Sequence, residues 1–222
     1  MEQNPAFSLQ RRAMVEQQLC RRGIRDERVL AAMLKVPRHE FVAPEQRAAA
    51  YDDRPLPIGE SETISQPYMV ASMTAAARIL AGDKALEIGA GSGYQAAILA
   101  ELGASVVTIE RNPSLAQCAR DRLRRLGYPN VHVVTGDGSE GYPPDAPYNA
   151  ILVTAGSPRV PPPLLDQLAE GGRLVIPIGD LHQQILQLIF KRGGELARRD
   201  LDPCQFVPLV GKQAWPEKIR PN

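Results

Sequence analysis

The run Leu86-Glu87-Ile88-Gly89-Ala90-Gly91-Ser92-Gly93-Tyr94-Gln95 constrains this chain more than any other stretch. An apolar segment from Ala85 to Ile88 stops at three glycines that alternate with other residues, and a helix-forming segment, Gln95 to Leu102, begins at once. Strand, tight turn and helix in that order open a nucleotide-binding βαβ unit. Glycine there admits backbone angles closed to other residues and leaves no Cβ between the loop and a ligand. Loop N–H groups and the first helical turn can then meet the ligand's polar part. A purely structural βα turn is the competing interpretation.

A dinucleotide loop needs G-x-G-x-x-G, whose third glycine lets helix and strand pack closely. Here the residue three after Gly91 is Tyr94, which disfavours a dinucleotide oxidoreductase. The acidic Glu87 precedes the first glycine by two positions, and Glu110 ends the next apolar run, Val106 to Ile109. In such a fold the Glu110 position faces ribose hydroxyls, whose hydrogen bonds a carboxylate accepts. The combination resembles the S-adenosylmethionine loop of the doubly wound methyltransferases. That resemblance implies cofactor contacts from Gly89, Gly91, Ser92, Gly93 and Glu110, with Glu87 near the cofactor's cationic amino-acid end.

With 222 residues, 44% of them hydrophobic, the chain suits one domain with one large core. A formal net charge of +1 gives no electrostatic case for nucleic acid or a membrane surface. No apolar run approaches the ~18 residues a bilayer requires, and the N-terminus lacks a secretory pattern. Cys20, Cys118 and Cys204 are far apart, without metal-ligand spacing, and read as free thiols in a reducing cytosol. His39, His132 and His182 are scattered and are not assigned to catalysis. The arginines of the N-terminal region are interleaved with acids, as on a solvated face.

Taken in order, residues 8–35 carry two short helices, the second capped by Asp26. Residues 51–59, with two prolines and a glycine, read as an irregular, rigid segment. It leads into residues 63–69 and a helix to about Leu80, capped by Ser65 with Pro67 in its first turn. Strands are expected at 85–88, 106–109, 131–135, 150–154 and 173–178. Helices are expected at 95–102, at 114–126 with Ser114 as cap, and at 163–168. Gly171-Gly172 reads as a turn. Residues 185–190 and 195–201, joined at Gly193-Gly194, read as an antiparallel edge hairpin. Phe206 to Leu209 is a short extended piece at an edge or outside the sheet, because Pro208 cannot donate to a ladder. The expected fold is α/β: a doubly wound, Rossmann-like sheet, mostly parallel, with an antiparallel edge hairpin and an N-terminal helical cap. One domain over 1–222 is expected, with a helical, substrate-side segment at 1–80 and a cofactor-binding sheet core at 81–210.

Several separated stretches carry a more specific likeness. They are Pro55-Leu56-Pro57-Ile58-Gly59, Thr63-Ile64-Ser65-Gln66-Pro67, the glycine loop, Gly136-Asp137-Gly138, Val175-Ile176-Pro177-Ile178-Gly179 and Phe206-Val207-Pro208-Leu209. In this order and spacing the chain resembles the protein-L-isoaspartate O-methyltransferase family from about Met14 to Leu209. The resemblance implies S-adenosylmethionine as methyl donor and isoaspartyl residues of damaged proteins as acceptors, with no metal. It implies an active-site role for Ser65, adenine contacts from Asp137 and Gly138, and substrate contacts from Thr63, Ile64, Phe206, Val207 and Leu209. It further suggests a cytoplasmic monomer. Two positions depart from many bacterial members: Ala90 in place of threonine, and Ser139 in place of tryptophan after Gly-Asp-Gly. Past Leu209 the likeness is loose. The rival readings are a methyltransferase for a small molecule or RNA, which an aromatic content of 5% disfavours for RNA, and a non-catalytic cofactor-binding protein.

Overall fold

The apolar runs build a seven-stranded sheet whose strands lie side by side in the order 131–135, 105–110, 84–88, 148–153, 168–179, 184–192 and 195–204. The computed structural model describes residues 5–219. The chain begins with α1 (Pro5–Ala13), which runs on as a wide π-type turn, Met14–Cys20, and then α2 (Glu27–Lys35). Asp26 caps α2 as expected, accepting from the N–H groups of Arg28 and Val29. A two-stranded antiparallel ribbon follows, β1 (Leu56–Gly59) and β2 (Glu62–Ile64), and then α3 (Pro67–Ala77). The main sheet alternates with helices: β3 (Lys84–Ile88), α4 (Tyr94–Glu101), β4 (Ser105–Glu110), α5 (Pro113–Leu126), β5 (Val131–Thr135), β6 (Tyr148–Val153), α6 (Pro162–Asp166) and β7 (Leu168–Gly179). β8 (Gln184–Arg192) and β9 (Glu195–Cys204) complete it.

Strands β3 to β7 pair in parallel, and β8 and β9 form the antiparallel edge. Side chains alternate between the sheet's faces. Ala85, Val106, Leu152 and Val175 join the cap residues Met14, Leu19, Met33 and Phe41 in one buried cluster. Leu86, Ile88, Ile151 and Ile176 join Leu164 of α6 and Leu209 of the tail in another. Covering both faces removes the inner strands from water, which explains their near-continuous apolar sequences.

Five local expectations change. Residues 56–59 are not irregular but pair with 62–64 across a turn in which Glu60 and Ser61 have φ of 54° and 58°. Non-glycine residues seldom adopt such angles, so the ribbon lacks the usual glycine signature. Ser65 does not cap α3: Gln66 is the cap residue and makes no side-chain cap bond. Asp53, fifteen positions before Tyr68, supplies the acceptor, its Oδ1 taking the Tyr68 N–H at 3.1 Å. The helix stops at Ala77 because Arg78 turns left-handed, φ 49°. Asn112, rather than Ser114, caps α5, with Pro113 at its start. Lastly, Gly171-Gly172 lies within β7, which carries an irregularity in its pairing with β6 instead of beginning after a turn.

Candidate active site

In an open α/β sheet, ligands gather at the carboxyl ends of the strands where the strand order reverses. Here β3 leads outward to β4 and β5, and the chain then returns to place β6 on the other side of β3. The glycine loop leaves the end of β3, Glu110 ends β4, Asp137 follows β5, and Thr154 follows β6. One fold event therefore brings these four segments to one rim.

The loop is held by its neighbours. The Gly89 and Ala90 N–H groups donate to the Ile109 carbonyl at 2.8 and 3.1 Å. Glu110 is buried; its Oε2 accepts from the Gly91 N–H at 2.9 Å and its Oε1 from the Asn112 N–H at 3.0 Å. A carboxylate oxygen has further lone-pair capacity, so these bonds fix Glu110 in place without exhausting it. Gly89 has φ +95°, and a Cβ there would lie 2.5 Å from Thr154 Oγ1. Gly91 (φ +50°) opens onto Ile58, whose Cδ1 a Cβ would meet at 3.2 Å. Gly93, the α4 cap residue, is left-handed at φ 87°. The Ser92 hydroxyl faces its own helix, accepting from the Tyr94 N–H at 3.3 Å.

Glu87 is fully buried, and neither carboxylate oxygen finds a hydrogen-bond partner. Burial pushes its carboxyl up to about 8. The Thr108 hydroxyl, opposite it on β4, pulls the other way although it lies outside hydrogen-bonding geometry, and the Glu110 charge adds to the rise. Glu87 shares a small cleft with Ser65, Gly89, Gly91 and Gln95. Gln95 Oε1 is likewise buried and unpartnered.

Two further clefts meet here. One, bounded by Gly89, Gly91, Glu110, Gly138, Val207 and Leu209, lies along the strand ends. The other runs past Ser65, Tyr68, Asp202, Cys204 and Phe206. Thr63 and Thr154 line both of these and also the Glu87 cleft. Ser65 lines the Glu87 cleft and the Tyr68–Phe206 cleft, and its hydroxyl makes no hydrogen bond among the described residues. Its carbonyl is gripped by Arg38 Nη2 at 2.8 Å, and Arg38 Nε donates to the Ala50 carbonyl at 2.7 Å. Ile64 is buried beside Ser65. Phe206 donates its N–H to Gln184 Oε1 at 2.7 Å, and the Val207 carbonyl accepts from Gly156.

Asp137 is placed differently from Glu110. Its Oδ1 accepts from the Ser139 N–H and hydroxyl at 2.9 and 2.7 Å, and its Oδ2 from the Lys212 N–H at 2.8 Å. Burial works against ionisation, but the bonds from Lys212 and Ser139 win and lower its pKa. Ser139 is fully buried and accepts from the Gln213 N–H at 3.1 Å. Gly138 packs on Ile88 so closely that a Cβ would overlap that side chain. Thr154, Arg38 and Asp53 were missed from sequence. Thr154 alone carried a signal, as the polar residue ending an apolar strand at the carboxyl rim.

A loop with glycine at alternate positions, the Glu110 carboxylate at the end of β4 and the unpaired buried carboxylate of Glu87 beside them fit a ligand with a sugar and a cationic end. The site and the strand order define a Rossmann-like methyltransferase that uses S-adenosylmethionine. Comparison with known proteins narrows the class. A family model described as protein-L-isoaspartate(D-aspartate) O-methyltransferase matches residues 9–214. A protein-L-isoaspartate O-methyltransferase of Methanoculleus marisnigri is 54% identical over 221 residues, covering 100% of both chains. A solved protein-L-isoaspartate O-methyltransferase superposes with a TM-score of 0.82 at 31% identity, over 92% of this chain and 67% of that one. A putative Plasmodium falciparum enzyme of the same kind, solved with S-adenosyl-L-homocysteine, gives a TM-score of 0.79 at 28% identity, over 90% and 98% of the two chains. The chain belongs to the protein-L-isoaspartate(D-aspartate) O-methyltransferase family.

Proposed function

We propose that this chain esterifies the carboxylate of L-isoaspartyl residues in damaged polypeptides, starting their repair, with Ser65 as the residue that orients the acceptor. S-adenosylmethionine supplies a methyl group on a sulfonium. The observation that carries the assignment of Ser65 is its place between the Glu87 cleft and the Tyr68–Phe206 cleft, with a free hydroxyl and a clamped carbonyl.

A carboxyl near its ordinary pKa of about 4 is ionised at neutral pH, so the acceptor needs no general base. No histidine lines the clefts at Ser65 among the described residues. The task left to the protein is alignment and exclusion of water. The Ser65 hydroxyl donates to one carboxylate oxygen and aims the other. Glu110 holds the ribose, Glu87 neutralises the amino-acid end, and Gly89, Gly91, Ser92 and Gly93 shape the loop. Asp137 and Gly138 form the adenine side, with Asp137 acting through the backbone it organises. Thr63, Phe206 and Val207 border the acceptor, while Ile64 lies on the Glu87 cleft and Leu209 on the Glu110 cleft. A groove that reads extended backbone would accept many flanking sequences.

The enzyme is proposed to act as a cytoplasmic monomer on polypeptides and not on nucleic acid. No helix among the described residues is long and apolar enough to cross a membrane. The test is transfer of labelled methyl from S-adenosylmethionine to two peptides that differ only in carrying isoaspartate or aspartate. Base-labile label on the isoaspartyl peptide alone is expected; no label on either, with cofactor binding intact, overturns the reading. Ser65→Ala should cut turnover by about 10- to 100-fold, the order of one hydrogen bond to a charged group, and leave cofactor affinity unchanged.

A further inference from the structure

A cavity of about 790 Å³ lies beyond the acceptor groove, and the two share Arg22, Tyr68 and Asp202 as a common wall. Its floor is apolar, with Leu188, Phe190 and Leu201 from the edge hairpin. Its rim is cationic: Arg22, Arg78, Arg173 and Arg199 stand against two acids, Asp200 and Asp202.

The partners of these charges decide what the cavity can bind. Arg22 is committed, stacked 3.4 Å from the Tyr68 ring centroid and paired with Asp53 at 2.6 Å. Asp202 is hydrogen-bonded by the Tyr68 and Ser72 hydroxyls, each at 3.3 Å, and Asp200 by Gln187 at 2.9 Å. Neither acid is ion-paired to an arginine among the described residues. The guanidinium groups of Arg78, Arg173 and Arg199 have no partner among the described residues. They come from three separate elements: Arg78 from the left-handed end of α3, Arg173 from β7 and Arg199 from β9. The cross-strand pairs Arg173–Phe190 and Leu188–Arg199 place the two strand cations beside apolar neighbours. Guanidinium forks without carboxylates, above an apolar floor, match a carboxylate carried on an aliphatic or peptide body.

We propose that this cavity is an accessory subsite for the acceptor polypeptide, taking acidic side chains several residues away from the methylated position. The proposal rests on the isoaspartyl-acceptor reading of the adjoining groove. The continuous wall of Arg22, Tyr68 and Asp202 makes a polypeptide the fitting occupant, since a chain seated at Ser65 can run past Tyr68 into the cavity. The subsite would bias an otherwise tolerant enzyme toward damage within acidic sequence.

The test uses three isoaspartyl peptides of equal length. One carries glutamates on the N-terminal flank, one on the C-terminal flank, and one has glutamine at all those positions. At low salt, one acidic peptide should show a KM about three- to tenfold below that of the glutamine peptide, the order expected of two or three half-exposed ion pairs. The gap should close in 0.5 M salt, where such pairs are screened. Arg173→Gln and Arg199→Gln should each shrink it while leaving kcat and the glutamine peptide's KM unchanged. Equal KM values for all three peptides, or a gap that survives both substitutions, would overturn the subsite. Thermal melts identify loss of fold, and Arg199, being exposed on the edge strand, is the safer of the two substitutions. If no peptide is methylated, the acceptor reading fails by itself. Anisotropy of the same peptides bearing a neutral fluorophore then still decides whether the cavity prefers the glutamates.

Discussion

Glu87 has lost its water without gaining a partner, and the consequences for pH follow from that. An acid whose pKa is raised to about 8 in the folded chain binds more protons there than in the unfolded chain, between its ordinary value near 4.5 and 8. Stability therefore falls as pH rises through that window, by at most about 1.4 kcal/mol per pH unit from this one group. In the absence of cofactor, Glu87→Gln should flatten the decline of Tm between pH 5 and 8. Parallel curves for the two proteins would show that the carboxyl is ionised or solvated in the folded state. A cationic group bound beside Glu87 favours its charged form, so cofactor binding at pH 7 should release a proton. Calorimetry in two buffers of different ionisation enthalpy reads that release directly, and Glu87→Gln should abolish it.

At the scale of elements, the segment after Leu209 turns out to matter for the loop after β5. Gly211 packs against the Asp137 carboxylate and the Ser139 hydroxyl so tightly that a Cβ would overlap both. The Lys212 and Gln213 N–H groups donate to those same side chains, and Lys212 Nζ pairs with Glu140 at 3.2 Å. The tail is therefore a strap over the Gly-Asp-Gly turn, and Val210 and Leu209 reach from it to the Glu110 cleft. Asp137→Ala should weaken cofactor binding by loosening strap and turn together. Ending the chain at Val210 should reproduce most of that loss, and the two changes combined should cost little more than either, as expected for groups in one network. Full additivity would instead mean that Asp137 reaches the adenine directly. The strap also explains Ser139, a small residue where a tryptophan would occupy the space of Gly211 and Gln213. These elements show what local sequence can reveal. Asp26 was legible as a cap because its partners lie in the next helical turn, and the strand-end position of Glu110 because it closes an apolar run in a βαβ pattern. Ser65 was misread as a cap because the true acceptor, Asp53, is remote in sequence. The β1–β2 ribbon was hidden by prolines and by a turn whose two central residues, Glu60 and Ser61, are not glycine. Nothing local marks residues 211–213 as a strap.

Across the whole molecule, the helical cap and the sheet meet through one buried cation. Arg38 is fully buried; burial lowers its pKa to about 10, and the neighbouring Tyr94 and Tyr51 partly offset that drop. It lies 4.9 Å from the Tyr94 ring centroid at the start of α4, and it joins the Ala50 carbonyl of the cap to the Ser65 carbonyl before α3. Cap side chains from Met14 to Phe41 share one cluster with Val106, Leu152 and Val175 of the sheet. The expectation of one domain over 1–222 then has a mechanical form: cap and sheet should unfold together. Removing Arg38 leaves the buried Ala50 carbonyl and the half-buried Ser65 carbonyl without their donor, at about 1–3 kcal/mol for a buried group, and opens a cavity under Tyr94. Arg38→Ala should therefore lower Tm by roughly 5–15 °C, at the 2–4 °C per kcal/mol typical of a chain this size. The transition should stay single, with far-UV circular dichroism coinciding with the fluorescence of a probe attached at Cys20 of the cap in a Cys118→Ser, Cys204→Ser background. Methyl transfer below the transition should also drop, because the Ser65 carbonyl loses its clamp. A biphasic melt, with the Cys20 probe changing well before the sheet, would show instead that residues 5–50 form a separate unit resting on a sheet that folds without them.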